Sequence, residues 1–254
     1  MRLESFDGVR LHYDVEGTGP PVVLLHGFAS DTDQNWRAPG VIKALTAAGH
    51  QVIGLDARGH GRSQKCYEPE AYENDAMAKD VITLFDALGL QAPDVAGYSM
   101  GSGTALRLAQ LDSRIRRLVL GGAGIGVVER LRGGDVRSGR AARIAQALET
   151  ADPSTIEDPL AKGFRRFAER TGADRKALVA IQRSRRFMAF GELSEIKVPT
   201  LVICGDKDFD PQPLAQALPA AWAEIVSGDH LTAVADPAFA AKIVEFLGSE
   251  SVAA

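Results

Sequence analysis

The period of the hydrophobic pattern changes several times along the chain. Residues 2–16 alternate polar and apolar positions on either side of Asp7-Gly8, which predicts an antiparallel hairpin. "PVVLLH" (21–26) and "QVIGLD" (51–56) are short unbroken apolar runs, as expected of strands covered on both faces. A polar, glycine-containing loop and a helical stretch over residues 35–48 lie between them. Met77, Val81, Phe85 and Leu88 recur at helical spacing. "DVAG" (94–97) predicts a strand, residues 100–110 a helix, and "IRRLVLGG" (115–122) another strand. Short apolar strands alternating with amphipathic helices imply an α/β fold, a mostly parallel twisted sheet flanked by helices. The alternation stops near residue 123. It resumes at "VPTLVICG" (198–205), "AEIVSG" (223–228) and a helix carrying Phe239, Ile243 and Phe246. The intervening stretch has no strand-like run and predicts helices carrying Ile144, Leu148, Phe164, Phe167, Leu178 and Ile181. The expected organisation is a core of residues 1–123 and 196–254 with a helical cap, 124–195, inserted into it.

Charge supports that division. Residues 121–195 carry 14 Lys and Arg against 10 Asp and Glu, whereas the rest carries 15 against 23. The net charge of −4 argues against nucleic acid or an anionic membrane as a partner. No apolar stretch approaches the ~20 residues of a membrane span, and the N-terminus does not read as a signal peptide. With two widely separated cysteines, Cys66 and Cys204, these features point to a cytoplasmic protein with free thiols. The chain contains no P-loop, H-E-x-x-H or CxxC motif, so neither a metal nor another cofactor is expected. "GGAGIG" (121–126) lacks the spacing of a dinucleotide loop. The arginines of the cap, Arg130 to Arg143 and Arg165 to Arg186, read as solvated helix faces or as a site for an anionic substrate group.

Gly97-Tyr98-Ser99-Met100-Gly101 places a serine between a predicted strand and a predicted helix, with glycine two positions to either side. Serine is a common N-cap, so the pentapeptide alone does not separate a reactive hydroxyl from a cap. The strand–Ser–helix setting is that of a nucleophile elbow, where close packing demands small flanking residues. A serine hydroxyl needs a base, and the base needs a carboxylate to orient it. In the chain order that goes with this setting, carboxylate and histidine follow the serine. Of five histidines only His230 lies beyond Ser99, on a predicted loop after a strand. "GDKDFDP" offers Asp206, Asp208 and Asp210 at the end of the preceding strand. Met100, next after the serine and opening a helix, supplies one N–H for a developing oxyanion.

These motifs together resemble the α/β-hydrolase fold family. "LLHGFAS" resembles its His-Gly-x signature, "DARGHGRS" (56–63) the segment after its fourth strand, and Gly205-x-x-Asp208 with Pro211 its acid motif. The resemblance implies Ser99 as nucleophile, His230 as base, Asp208 as the orienting carboxylate with Asp206 in reserve, and the backbone N–H groups of Phe28 and Met100 as the oxyanion hole. It makes His26 a support for the oxyanion loop, and His60 likewise structural. Asp56 and Arg58 are expected to form a loop-organising ion pair. Trp36, Tyr98 and Phe209 are candidates for the substrate pocket between sheet edge and cap. A carboxylic ester is the expected small-molecule substrate. Lactonase, carbon–carbon hydrolase and cofactor-free perhydrolase chemistry remain open on the same residues, as does a slow-turnover receptor. The haloalkane and epoxide branches, which use aspartate as nucleophile, are disfavoured by Ser99. Oligomeric state is not legible.

Overall fold

The structure is a computed structural model, and it describes residues 1–132, 139–185 and 190–249. Eight strands form one sheet in the order β1-β2-β4-β3-β5-β6-β7-β8. β1 (Arg2–Glu4) and β2 (Arg10–Glu16) are the expected hairpin, with Leu3 opposite Leu11, and β2 runs antiparallel to β4. β3 (Pro21–Leu25), β4 (Gln51–Asp56), β5 (Asp94–Tyr98), β6 (Leu118–Gly121), β7 (Thr200–Gly205) and β8 (Ala221–Val226) are parallel. The unbroken apolar runs follow from this placement, because successive side chains point to opposite faces and both faces are covered. Val22, Leu24, Val52, Ala96, Val119, Leu201 and Ile203 join one core cluster, and Val23, Leu25, Ile53, Leu55, Val95, Leu118 and Val202 join the other. This is the α/β-hydrolase fold.

Helices α1 (Val41–Ala47) and α9 (Pro237–Gly248) pack together on the first face, and α2 (Ala76–Leu88) and α3 (Met100–Leu111) on the second. The helical stretch expected over 35–48 is broken. A π-helical turn spans Asp33–Arg37, and α1 begins after Gly40, whose φ of 89° is incompatible with a continuous right-handed helix. Between β6 and β7 the chain forms α4 (Gly126–Leu131), α5 (Arg140–Glu149), α6 (Pro159–Thr171) and α7 (Arg175–Arg183), and α8 (Gln212–Ala217) follows β7. α6 starts with Asp158 accepting from the Ala161 N–H and stops at Gly172 in the left-handed conformation. Its last residue, Thr171, donates its hydroxyl to the Ala29 carbonyl at 2.8 Å, tying this layer to the loop after β3. Among the described residues no helix is long and apolar enough to cross a membrane.

Candidate active site

The turn after β5 is sterically restrictive. Ser99 has φ 53° and ψ −105°, a region that side chains rarely adopt and that is held only where the surroundings enforce it. Its N–H donates to the Gly121 carbonyl at 2.8 Å. A Cβ on Gly97 would clash with the Gly101 backbone, and one on Gly101 with the Leu25 carbonyl, so both flanking glycines are required by close packing. Ser102 braces the turn, donating to the Gly97 and Gly121 carbonyls. No sequence motif had singled it out.

Ser99 Oγ lies 2.9 Å from His230 Nε2, and His230 Nδ1 lies 3.0 Å from both carboxylate oxygens of Asp208. The imidazole is one-third exposed, while the Asp208 side chain is almost fully buried. Asp206 takes a different part, accepting from the Gly228 N–H at 2.8 Å. The Lys207 N–H in turn donates to the Gly228 carbonyl at 3.0 Å, so the two loops are laced together. Asp229 accepts from the N–H groups of Leu231 and Thr232 and turns the chain at the loop that carries His230. Tyr98 reaches across from the elbow and donates its hydroxyl to the His230 carbonyl at 2.9 Å. Burial pushes the Cys204 thiol up to about 12, so this neighbour of the site is a neutral, unreactive group.

Among the described residues no protein acceptor takes the N–H of Phe28 or Met100. The loop that carries Phe28 is fixed by two buried histidines. His26 donates Nδ1–H to the Gly27 carbonyl and accepts at Nε2 from the Ala57 N–H, and His60 donates Nδ1–H to the Arg58 carbonyl and accepts from the Ala29 N–H. Accepting at Nε2 requires the neutral ring. Burial, with the neighbouring His26 adding to it, pushes His60 down to about 3, and burial lowers His26 as well.

Three expectations need correction. Asp56 and Arg58 are not partners: Arg58, fully buried, is clasped by Asp7 and Asp80, while Asp56 accepts from the N–H groups of Thr32 and Arg62. The hairpin brings Asp7 within reach and α2 brings Asp80, an arrangement with no local sequence signal. Trp36 is not a pocket residue. It is fully buried in the core beneath Tyr98, their rings edge-on at 6.2 Å, because the π-helical turn directs it inward. Arg165 also departs from a solvated helix face, being buried against Glu169 and the carbonyls of Ala147 and Thr150. Arg137 and Arg186 lie outside the described residues.

Two cavities meet over Ser99 and His230. The larger, about 680 Å³, is walled by Asn35, Tyr98, Leu160, Phe164, Phe167 and Arg170 among others. The smaller, about 220 Å³, includes Met100, Arg130, Arg140, Gln182 and Phe209 in its wall. Phe28, Leu160 and Phe164 border both. The apolar wall contributed by α6 was hidden from sequence reasoning because Leu160, Phe164 and Phe167 have the spacing of any core-facing helix stripe. Among the described residues no cluster of His, Cys, Asp and Glu is suited to a metal.

This sheet, with a Ser–His–Asp array at the carboxyl edge of its parallel strands, defines an α/β hydrolase, and the chain belongs to the α/β-hydrolase fold family. Residues 20–136 match the family model for the alpha/beta hydrolase fold. Epoxide hydrolase B of Mycobacterium tuberculosis is 35% identical over 114 residues, covering 43% of this chain and 31% of that protein. The chain thus aligns with less than a third of that relative's length. A hydrolase from Pseudomonas aeruginosa PA01 superposes with a TM-score of 0.72 at 26% identity over 98% of both chains. An enol-lactonase from Burkholderia xenovorans LB400 does so with a TM-score of 0.72 at 26% identity, over 98% of this chain and all of that one.

Proposed function

We propose that the chain is a serine hydrolase of small carboxylic esters or related acyl compounds. One observation carries the reading: an unbroken hydrogen-bond relay from Asp208 through His230 to Ser99, opening into a mainly apolar cavity beside two uncommitted backbone N–H groups. His230 Nε2 takes the Ser99 proton as Oγ adds to the substrate carbonyl carbon. Asp208, held at Nδ1, fixes the tautomer and stabilises the imidazolium that forms. The carbonyl oxygen, now negative, accepts from the Phe28 and Met100 N–H groups, and the start of α3 adds the favourable end of its dipole. Collapse expels the leaving group, which takes the proton from His230. Water, deprotonated by the same imidazole, then cleaves the acyl-enzyme and restores Ser99. The two cavities suit the two halves of an ester, one on each side of the reacting carbon.

Purified protein is expected to hydrolyse p-nitrophenyl acetate. Ser99→Ala should lower kcat at least ~10³-fold, the loss typical of removing the nucleophile of such a relay. Equal rates for the two proteins would end this reading. A lactonase is the second reading. It is favoured by the full-length likeness to the enol-lactonase, since a lactone is an internal ester that calls for the same steps.

A further inference from the structure

The proposed reaction gives work to Ser99 and Met100, and close packing accounts for Gly97 and Gly101, which leaves Tyr98 as the member of the elbow without a task. Tyr98 ends β5 and is buried on the first face of the sheet. Its ring is held from two sides, edge-on to Trp36 at 6.2 Å and against Phe239 of α9 at 5.8 Å. Glycine at 122 clears the way toward the base: a Cβ there would stand 3.0 Å from Tyr98 Cζ and 3.2 Å from His230 Cε1. The phenol then ends in its bond to the His230 carbonyl at 2.9 Å. Among the described residues no other hydrogen bond reaches the main chain of His230. Its neighbours Asp229, Leu231 and Thr232 are exposed and bond within their own turn, and the anchor from Asp206 lies two residues away at Gly228.

We infer that Tyr98 is a positioning residue for His230: its hydroxyl tethers the main chain of an exposed loop to the packed core and so fixes where the imidazole stands. The inference rests on the proposed function for the role of that imidazole as base. An imidazole turns about its own side-chain bonds, but its reach to both Ser99 and Asp208 is set by the place of its main chain, and a misplacement of 1 Å is enough to cost ~10²-fold in rate. Tyr98 and Ser99 are consecutive, so the strand end that presents the nucleophile also carries the tether of the base. Burial raises the ionisation of the phenol, which therefore remains a donor in alkaline solution.

The test removes the hydroxyl and keeps the ring. Tyr98→Phe should lower kcat on p-nitrophenyl acetate and p-nitrophenyl butyrate by the same factor, about tenfold per folded molecule, and leave KM unchanged. Because Tyr98 also borders the larger cavity, a role confined to the wall would instead move KM, and unequally for the two esters. Phe239→Leu is the packing control: it loosens the pocket around the ring but leaves the hydroxyl, and should lower the urea midpoint with little change in kcat. The tether is also read without substrate. The downfield proton resonance of His230 Nδ1–H, shared with Asp208 and assigned by its loss in His230→Ala, should broaden or shift in Tyr98→Phe and stay in place in Phe239→Leu. The inference is overturned if Tyr98→Phe keeps the full kcat, if kcat falls while the resonance is unaltered, or if Phe239→Leu lowers kcat as far. The resonance stands apart from turnover. An altered resonance in Tyr98→Phe, with no hydrolysis by the intact protein, would fail the proposed reaction and keep the tether; hydrolysis with an unaltered resonance would do the reverse.

Discussion

His230 and His60 both sit on loops that follow sheet strands at the carboxyl edge, and both lie near aspartates, yet their surroundings could hardly differ more. His60 is enclosed, with each ring nitrogen committed to a backbone group and its ring 5.1 Å from that of His26. His230 is one-third exposed, has a carboxylate at one nitrogen and a serine hydroxyl at the other, and opens onto both cavities. A histidine becomes a base when its protonated form has a charge partner and its second nitrogen meets a transferable proton. It becomes a brace when burial forbids protonation and the backbone consumes both nitrogens. On the proposed reaction, the same side chain would therefore perform opposite tasks within one sheet edge.

Removing each ring should separate those tasks. His230→Ala is expected to lower kcat by ~10³-fold or more, and Asp208→Asn by up to about 10⁴-fold through the wrong tautomer, with the urea midpoint nearly unchanged in both. His60→Ala should do the opposite. It orphans the buried Ala29 N–H, at about 1–3 kcal/mol of stability, while activity per folded molecule falls far less. Rates and urea midpoints for the three variants check this. A His60→Ala protein that is stable but inactive would erase the distinction.

Arg58 extends the comparison from rings to ion pairs. Arg37 is partly exposed and its contacts to Asp14, Glu16 and Asp33 are open to water, whereas Arg58 is fully buried between Asp7 and Asp80. Exposed pairs are worth about 0–1 kcal/mol, but breaking a buried one strands a charge at about 3–5 kcal/mol. Arg58→Leu should therefore cost several times what Arg37→Leu costs in denaturant unfolding. Similar losses would mean that water reaches the Arg58 site.

The sequence made much of the core and the relay legible because each has a local signature. Two-sided burial makes the strands of the parallel core continuous apolar runs, and the elbow demands glycine at 97 and 101 by packing alone. Ser99, His230 and Asp208 could be proposed because chain order, together with the family's acid motif, narrows the choices. What stayed hidden is decided by contacts between distant segments. Arg58 finds Asp7 and Asp80 rather than its neighbour Asp56 only once the hairpin folds against α2. Trp36 and Asn35 are adjacent in a polar stretch, and a single π-helical turn sends one to the core and the other to the cavity wall. Nothing in the spacing distinguishes them.

Acid should act on the two histidine settings differently. The folded His60 binds its proton only near pH 3, and His26 is also depressed, while in the unfolded chain both titrate near 6.5. The unfolded state thus holds more protons between these values, and stability rises with pH there. Their contribution is complete above about pH 6.5 and is lost as pH falls toward 3. Urea midpoints should decline between pH 7 and pH 5, before the carboxylates titrate, and His60→Gln should flatten that decline. A midpoint constant over the interval would show that the buried rings accept protons freely.

The smallest expected effect is the most informative about the carboxylate pair. Asp206 and Asp208 sit two residues apart on one loop, and only Asp208 touches the imidazole; Asp206 holds the Gly228 N–H. That bond needs an acceptor and no charge. Asp206→Asn keeps the acceptor oxygen and should change kcat by only about threefold or less, since a neutral hydrogen bond replaces a charge-assisted one at a partly exposed site. Asp206→Ala should cost more than Asp206→Asn, because the loop that presents His230 then loses its anchor, and the added loss should fall on kcat through misplacement of the ring. Steady-state kinetics of the pair measures the division directly. If Asp206→Asn proved as damaging as Asp208→Asn, the charge rather than the bond at 206 would be what His230 depends on, and the two carboxylates would have to be treated as one electrostatic unit.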